Sequence, residues 1–133
     1  MGSPHQFVAV VDDDDAVCRA LKRSLRSAGI EAETFNSGEA FLDMLSSADS
    51  SLPGCLIVDS LMPGMGGLEL QRQLAPTGVP IIFIAATLDE AVRGKALARG
   101  AAEYLKKPVD SALLISTVRM ALVLPHVPPS DSP

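Results

Sequence analysis

Apolar residues arrive along this chain in two alternating rhythms. Short unbroken runs read as strands buried on both faces, and between them apolar positions recur every three or four residues, as on amphipathic helices. The first run, Phe7-Val8-Ala9-Val10-Val11, ends in four acids, Asp12 to Asp15. Val17, Leu21, Leu25 and Ala28 follow at helical spacing, with Arg19, Lys22, Arg23 and Arg26 off the stripe. Asp14 or Asp15 can cap that helix, and Gly29 can close it. Ile30 to Phe35 alternates like a shorter strand, and Asn36-Ser37-Gly38-Glu39 opens a helix whose buried face carries Phe41, Met44 and Leu45. A polar loop from Asp49 to Gly54 leads into Cys55-Leu56-Ile57-Val58, which runs straight into Asp59. Leu68 to Leu74 predicts a short helix, stopped by Pro76 and Gly78. Pro80 to Ala86 is the most apolar run and predicts a central strand. Asp89 then caps a helix carrying Ala91, Val92, Ala96 and Leu97, closed by Gly100. Ala102 to Leu105 predicts a last strand, and Asp110 caps a final helix with Leu113, Leu114, Val118 and Leu122.

Strand and helix thus alternate five times. Such alternation implies an α/β fold with a parallel sheet covered on both faces and right-handed crossovers. Five repeats of this size fit the doubly wound, flavodoxin-like (βα)5 arrangement, strand order 2-1-3-4-5. The expected organisation is a leader at 1–6, one domain at 7–122 and a Pro-rich linker or tail at 123–133.

Composition narrows the function. The 133 residues suffice for one domain with a real core. No apolar run approaches the roughly 20 residues a membrane-spanning helix needs, and the first is too short for a signal peptide. Sixteen acids against eleven bases argue against nucleic-acid binding by this segment itself. Trp is absent and Tyr104 is the single tyrosine, which argues against an aromatic stacking platform. Cys18 and Cys55 sit in apolar patterns and read as buried thiols of a reducing, cytoplasmic compartment. His5 and His126, in the terminal segments, read as inert.

Candidate chemistry gathers where strands finish. The first strand delivers Asp12 and Asp13, the third Asp59 and the fifth Lys107, and a doubly wound sheet opens all three ends on one edge. Pro63 cannot continue a central strand, and Gly64, Gly66 and Gly67 allow a sharp exit after Asp59. Clustered carboxylates repel one another, so a cation is expected among them. An oxygen-only donor set suits Mg2+, which takes one or two carboxylates and leaves room for a phosphoryl oxygen. With Lys107 as a second positive charge, Asp59 has what it needs to attack phosphorus and form an aspartyl phosphate.

V-A-V-V-D-D-D-D, C-L-I-V-D-S-L-M-P-G-M-G-G-L-E-L, I-I-F-I-A-A and G-A-A-E-Y-L-K-K-P together resemble the receiver domain of two-component response regulators, over about residues 7 to 122. The likeness is greatest to the subclass with a helix-turn-helix output domain. The resemblance implies Asp59 as phosphoacceptor, Asp12 and Asp13 as the metal-binding pair, and Leu61 as the residue whose backbone carbonyl ligates Mg2+. It implies Lys107 as the phosphoryl contact and Tyr104 as an aromatic that changes rotamer on activation. It implies a sensor histidine kinase as phosphoryl donor and signalling through the fourth helix, fifth strand and fifth helix. A C-terminal DNA-binding output domain would lie beyond this chain. Dimerisation through the last helix is compatible with the pattern but not specified by it.

One position departs from that family. Ser or Thr normally ends the fourth strand and donates a hydroxyl hydrogen bond to the phosphoryl group; here the aligned residue is Ala85. Thr87, two residues on, faces the same side of an extended strand but is displaced by about 6–7 Å at ~3.3 Å per residue. A lost charge-assisted hydrogen bond is worth roughly 1.5–3 kcal/mol, enough to weaken a two-state relay through Tyr104. Ala85 therefore leaves open a phosphorylation-independent pseudo-receiver that works as an interaction module. An aspartate-nucleophile phosphohydrolase normally carries a second acid two residues after the nucleophile, and Leu61 cannot exchange protons. The chain is therefore not expected to be an enzyme. A flavin site fails on the missing aromatic and hydroxyl-rich loops. Taken singly, each acid after a strand has a plain alternative as a helix cap, and Lys106 reads as a solvated strand end.

Overall fold

A computed structural model describes residues 6–123. Apart from Gln6 and Val123, the leader and the Pro-rich tail lie outside the described residues, as do His5 and His126. The elements run β1 (Val8–Val11), α1 (Asp15–Ser27), β2 (Ala32–Phe35), α2 (Gly38–Leu45), β3 (Cys55–Asp59), α3 (Gly67–Leu74), β4 (Ile81–Ala85), α4 (Glu90–Ala98), β5 (Glu103–Lys106) and α5 (Ser111–Leu122). A single 3-10 turn, Ala75–Thr77, leaves α3 where Pro76 interrupts it. All strand pairs are parallel and the sheet order is β2-β1-β3-β4-β5, as the alternation predicts.

Because side chains alternate across each strand, the sheet has two separate cores. Val8, Val10, Ile57, Ile82, Ile84 and Leu105 pack on α1 and α5, through Cys18, Leu21, Leu25, Leu114 and Val118. Ala9, Val11, Leu56, Val58, Phe83, Ala85 and Tyr104 face α2, α3 and α4, through Phe41, Leu70, Leu74 and Ala96. α1 starts on Asp14, whose carboxylate accepts the Ala16 and Val17 N–H groups. It ends on Gly29 at φ +78, with Gly29 N–H bonded to Arg26 O and Ile30 N–H to Leu25 O. That paired closure is the Schellman motif, and it needs the left-handed residue that glycine supplies.

Register sets the height of the strand ends. Val11 pairs with Val58, so Asp12 and Asp59 leave neighbouring strands at the same level. Asp59 pairs with Ile84, and Ala85 with Lys106. Both borders of the sheet carry charge: Glu33 on β2, and Glu103 and Lys106 on β5. Among the described residues no helix is long and apolar enough to cross a membrane.

Three expectations shift. β4 ends at Ala85, so Thr87 lies in an exposed bend and not on an extended strand. The pairing of β4 with β5 runs as far as Ala85 with Lys106, and the Lys107 N–H bonds the Ala85 carbonyl at that end. β5 runs one residue later than Ala102–Leu105. Leu97 and Leu113, placed on buried faces by their spacing, are exposed. A period of 3.6 read from a few small apolar residues fixes the helix but not which way it is turned.

Candidate functional site

The acids that end β1 and β3 are positioned by backbone on every side. Asp12 is fully buried; its Oδ1 accepts the Asp14 N–H at 2.9 Å, tying the carboxylate into the start of α1. The Cys18 thiol, from the first turns of that helix, donates to the Asp12 carbonyl at 3.3 Å. Asp59 is buried at the end of β3, with Oδ1 accepting the Leu61 N–H at 3.2 Å. Asp13 is exposed beside them, and one carboxylate oxygen from each of the three acids falls within 4.8 Å of the others. Gly67 makes the tight return possible. A Cβ there would stand 2.8 Å from the Asp59 carbonyl oxygen and 2.9 Å from the Phe83 ring, so only glycine lets α3 begin against the end of β3.

Lys107 closes the cluster from β5. Its Nζ lies 2.9 Å from Asp12 Oδ2 and 3.3 Å from Asp59 Oδ2. The Lys107–Pro108 peptide is cis. Burial alone would push the Lys107 ammonium down. The hydrogen bond and charge of Asp12, joined by those of Asp59, outweigh it and hold the pKa above the ordinary lysine value. For Asp59 burial is the largest influence and raises the carboxyl. The Leu61 N–H opposes that rise, the Asp12 charge adds to it, and Lys107 opposes it. Burial, reinforced by the Asp12 charge, lifts the Cys18 thiol to about 11, so it stays protonated as a donor.

Three carboxylates face one ammonium, which leaves negative charge in excess. Asp12 Oδ2, fully buried, has Lys107 as its ion partner and no hydrogen-bond donor beyond it. A buried carboxylate oxygen with spare lone pairs, in an all-oxygen cluster open to solvent through Asp13, fits a hard divalent cation. Across the sheet, Tyr104 is buried with its ring stacked on Phe83 at 6.0 Å between centroids, and its hydroxyl meets no partner. Ala85, buried on the same face, offers it none.

The family model for the response regulator receiver domain matches residues 8–119. The chain belongs to that family. It is a receiver domain of two-component response regulators, with the five-stranded fold that this family shares. Response regulator protein TodT of Pseudomonas putida is 39% identical over 135 residues, covering 100% of this chain and 58% of that protein. Transcriptional regulatory protein FixJ of Azorhizobium caulinodans is 39% identical over 117 residues, 86% of this chain and 54% of that protein. The chain therefore spans little more than half the length of the curated relatives it matches. Among solved structures, a response regulator receiver protein from Burkholderia phymatum superposes with a TM-score of 0.81 at 52% identity, covering 89% of this chain and 95% of that one. FixJ-N superposes with a TM-score of 0.77 at 29% identity, covering 90% and 95%.

Within the receiver domain, Asp12, Asp13, Asp59 and Lys107 come together as their places at the strand ends predict. Leu61 flanks them with its side chain 79% exposed, and its N–H serves Asp59. Thr87 stands apart in its bend. Sequence reasoning treated Cys18 as plain core and overlooked its bond to the Asp12 carbonyl. Its place six residues after Asp12, on the buried stripe of the helix that Asp12 opens, was the available signal. Gln71, a buried amide under α4, carried no signal, because its partner Ala96 lies 25 residues downstream.

Proposed function

We propose that Asp59 is the phosphoacceptor of this receiver domain, with the phosphohistidine of a sensor histidine kinase as donor. An Asp59 carboxylate oxygen forms a bond to phosphorus as the P–N bond breaks. The bonding pair leaves with the imidazole, and the product is an acyl phosphate on Asp59. Asp12, Asp13, Asp59 and the Leu61 carbonyl would hold Mg2+, which would supply charge neutralisation for the phosphoryl oxygens. Lys107, already poised between Asp12 and Asp59, is the chain's own contact to a phosphoryl oxygen. The Leu61 N–H orients the carboxylate. Asp12, fixed by the Asp14 N–H, keeps Lys107 charged.

The observation that carries this reading is the contact of Lys107 Nζ with both Asp12 and Asp59. It joins the beginning, middle and end of the chain at one point. The receiver unit is taken as residues 7–122, followed by a linker to a DNA-binding output domain of a cytoplasmic regulator. That reading is supported by relatives of which the matched region makes up only 58% and 54%, one of them named a transcriptional regulatory protein. The added charge shifts a population between two states of the α4–β5–α5 face, with a homodimer as one outcome of activation. The chemistry is confined to the domain's own acyl phosphate, and nucleic-acid contact belongs to the output domain. The pseudo-receiver alternative rests on Ala85 alone; the intact acids and lysine favour the phosphoacceptor.

Acetyl phosphate and intact-mass measurement test the proposal. The wild-type chain should gain one phosphoryl mass with Mg2+ and none with excess chelator, and Asp59→Asn should gain none. No gain in the wild type would overturn the proposal and support the phosphorylation-independent module. A gain that survives in Asp59→Asn would move the acceptor elsewhere.

A further inference from the structure

Cys18 grips the turn between β1 and α1 twice. Its N–H donates to the Asp14 carbonyl at 3.1 Å, the opening bond of the helix. Its thiol, 5% exposed, donates to the Asp12 carbonyl at 3.3 Å. That carbonyl belongs to the peptide joining Asp12 to Asp13. A carbonyl on a fully buried residue needs a donor, and the thiol supplies it. The Asp12 N–H is tied to the Phe35 carbonyl at 3.1 Å, at the end of β2, and the Cys18 sulfur reaches that same carbonyl at 3.9 Å. Both peptide groups of Asp12 are therefore held, one by the neighbouring strand and one by a side chain of α1.

The two acids on that peptide depend on it unequally. Asp12 has anchors of its own: Oδ1 accepts the Asp14 N–H and Oδ2 meets Lys107. Asp13 is exposed, and its carboxylate has no such anchor among the described residues. Its place within 4.8 Å of the Asp12 and Asp59 oxygens is set by backbone alone. The plane of the peptide ahead of it is what the thiol fixes. A rotation of that peptide would swing Asp13 away while leaving the Asp12–Lys107 pair intact. Asp12 Oδ2, fully buried and with no hydrogen-bond donor beyond Lys107, independently marks the cluster as one suited to a cation.

We propose that Cys18 is a positioning residue for divalent-cation binding, acting through the bond from its thiol to the Asp12 carbonyl, which sets how Asp12 and Asp13 are presented together. Cys18 contributes no ligand atom of its own. Groups that orient a metal's ligands from behind commonly govern its affinity. A thiol is a weak donor, so its loss weakens the site and does not abolish it. The inference rests on the reading of Asp12, Asp13 and Asp59 as cation ligands and adds to it a residue from the buried stripe of α1.

Mg2+ alone, titrated into the unphosphorylated 133-residue chain and followed by the backbone amide shifts of Asp12, Asp13 and Asp14, tests it. Cys18→Ala removes the donor and should raise the half-saturating Mg2+ concentration by about five- to tenfold. Cys18→Ser restores a donor and should return it to within about twofold of the wild type. Leu25→Val thins the packing of the same helix at a fully buried position away from the turn. It should lower the melting temperature and leave the Mg2+ response unchanged. Equal Mg2+ affinity in Cys18→Ala and the wild type would overturn the proposal and leave the cation site standing. Equal weakening in Cys18→Ala, Cys18→Ser and Leu25→Val would also overturn it, by reducing Cys18 to core packing. A wild type with no Mg2+ response would overturn the cation site itself, and the proposal with it. Should Cys18→Ala fail to fold, Cys18→Val, which refills the space without a donor, decides by the same criterion.

Discussion

Asp59 and Ala96 are both buried near the end of an element, yet they are held in different ways. Asp59 is clasped by the Leu61 N–H, by Lys107 and by a loop that returns so closely at Gly67 that no side chain fits. Its neighbour Asp12 is bonded through Asp14 and Cys18. Ala96 rests on apolar packing and one amide from Gln71. The contrast separates two tasks. Groups proposed to meet around a phosphoryl oxygen are fixed from several sides, and misplacement of an ångström in such a site can cost a hundredfold in rate. An element held by few buried contacts is expected at the low end of local stability.

Substitutions can break this comparison or sharpen it. The largest effect is expected at Gly67→Ala, whose methyl collides with the Asp59 carbonyl and the Phe83 ring. A loss of about 1–3 kcal/mol should appear in the urea midpoint, whereas Gly94→Ala, also in a helix, meets no clash and should not destabilise. Helix caps come next. Asp14 accepts two N–H groups at the start of α1, and Asp89 does the same for α4. Asp14→Ala should lower global stability by about 1 kcal/mol. Asp89→Ala should instead raise α4 amide exchange, with a global shift under about 0.5 kcal/mol, because α4 buries only Ala96. Equal global losses in the two variants would erase the distinction.

The smallest expected effect concerns pH. A carboxyl raised in the folded state, as burial raises Asp59, favours the fold while protonated. That contribution is complete below the unfolded carboxylate value, about 4, and is lost as pH rises through the folded value. Without divalent ion, Asp59→Asn should therefore exceed the wild type in melting temperature at pH 7. The gain should stay below about 1 kcal/mol, since solvent partly screens the site, and should vanish in acid. Mg2+ should narrow the gap by stabilising the wild type preferentially.

Much of this was legible in the sequence for one reason: an acid directly after a buried apolar run has nowhere to go but the end of a strand. Asp12, Asp13 and Asp59 are fixed by that logic, and Lys107 by the proline that follows it. Helix α4 resisted the same treatment. Ala91, Val92, Ala96 and Leu97 trace a plausible stripe, but Ala96 alone is buried. Small apolar side chains gain little from burial and so say little about orientation. Thr87 was misjudged because periodicity does not show where a ladder runs out; the pairing of β4 with β5 stops at Ala85 and Lys106. The bond from Gln71 to the Ala96 carbonyl is invisible in one dimension, since a lone glutamine on a helix is ordinary until the distant carbonyl it meets is known.

The charged borders of the sheet have a last consequence. A β-sheet with open sides invites a second sheet to join it, and long exposed strands seed aggregates. Here each outer strand has only four residues and carries charge, Glu33 on one side and Glu103 with Lys106 on the other. Neighbouring copies, crowded together in a cell or tethered in an array, gain little by zipping strand to strand. The strand edges are therefore poor surfaces for assembly.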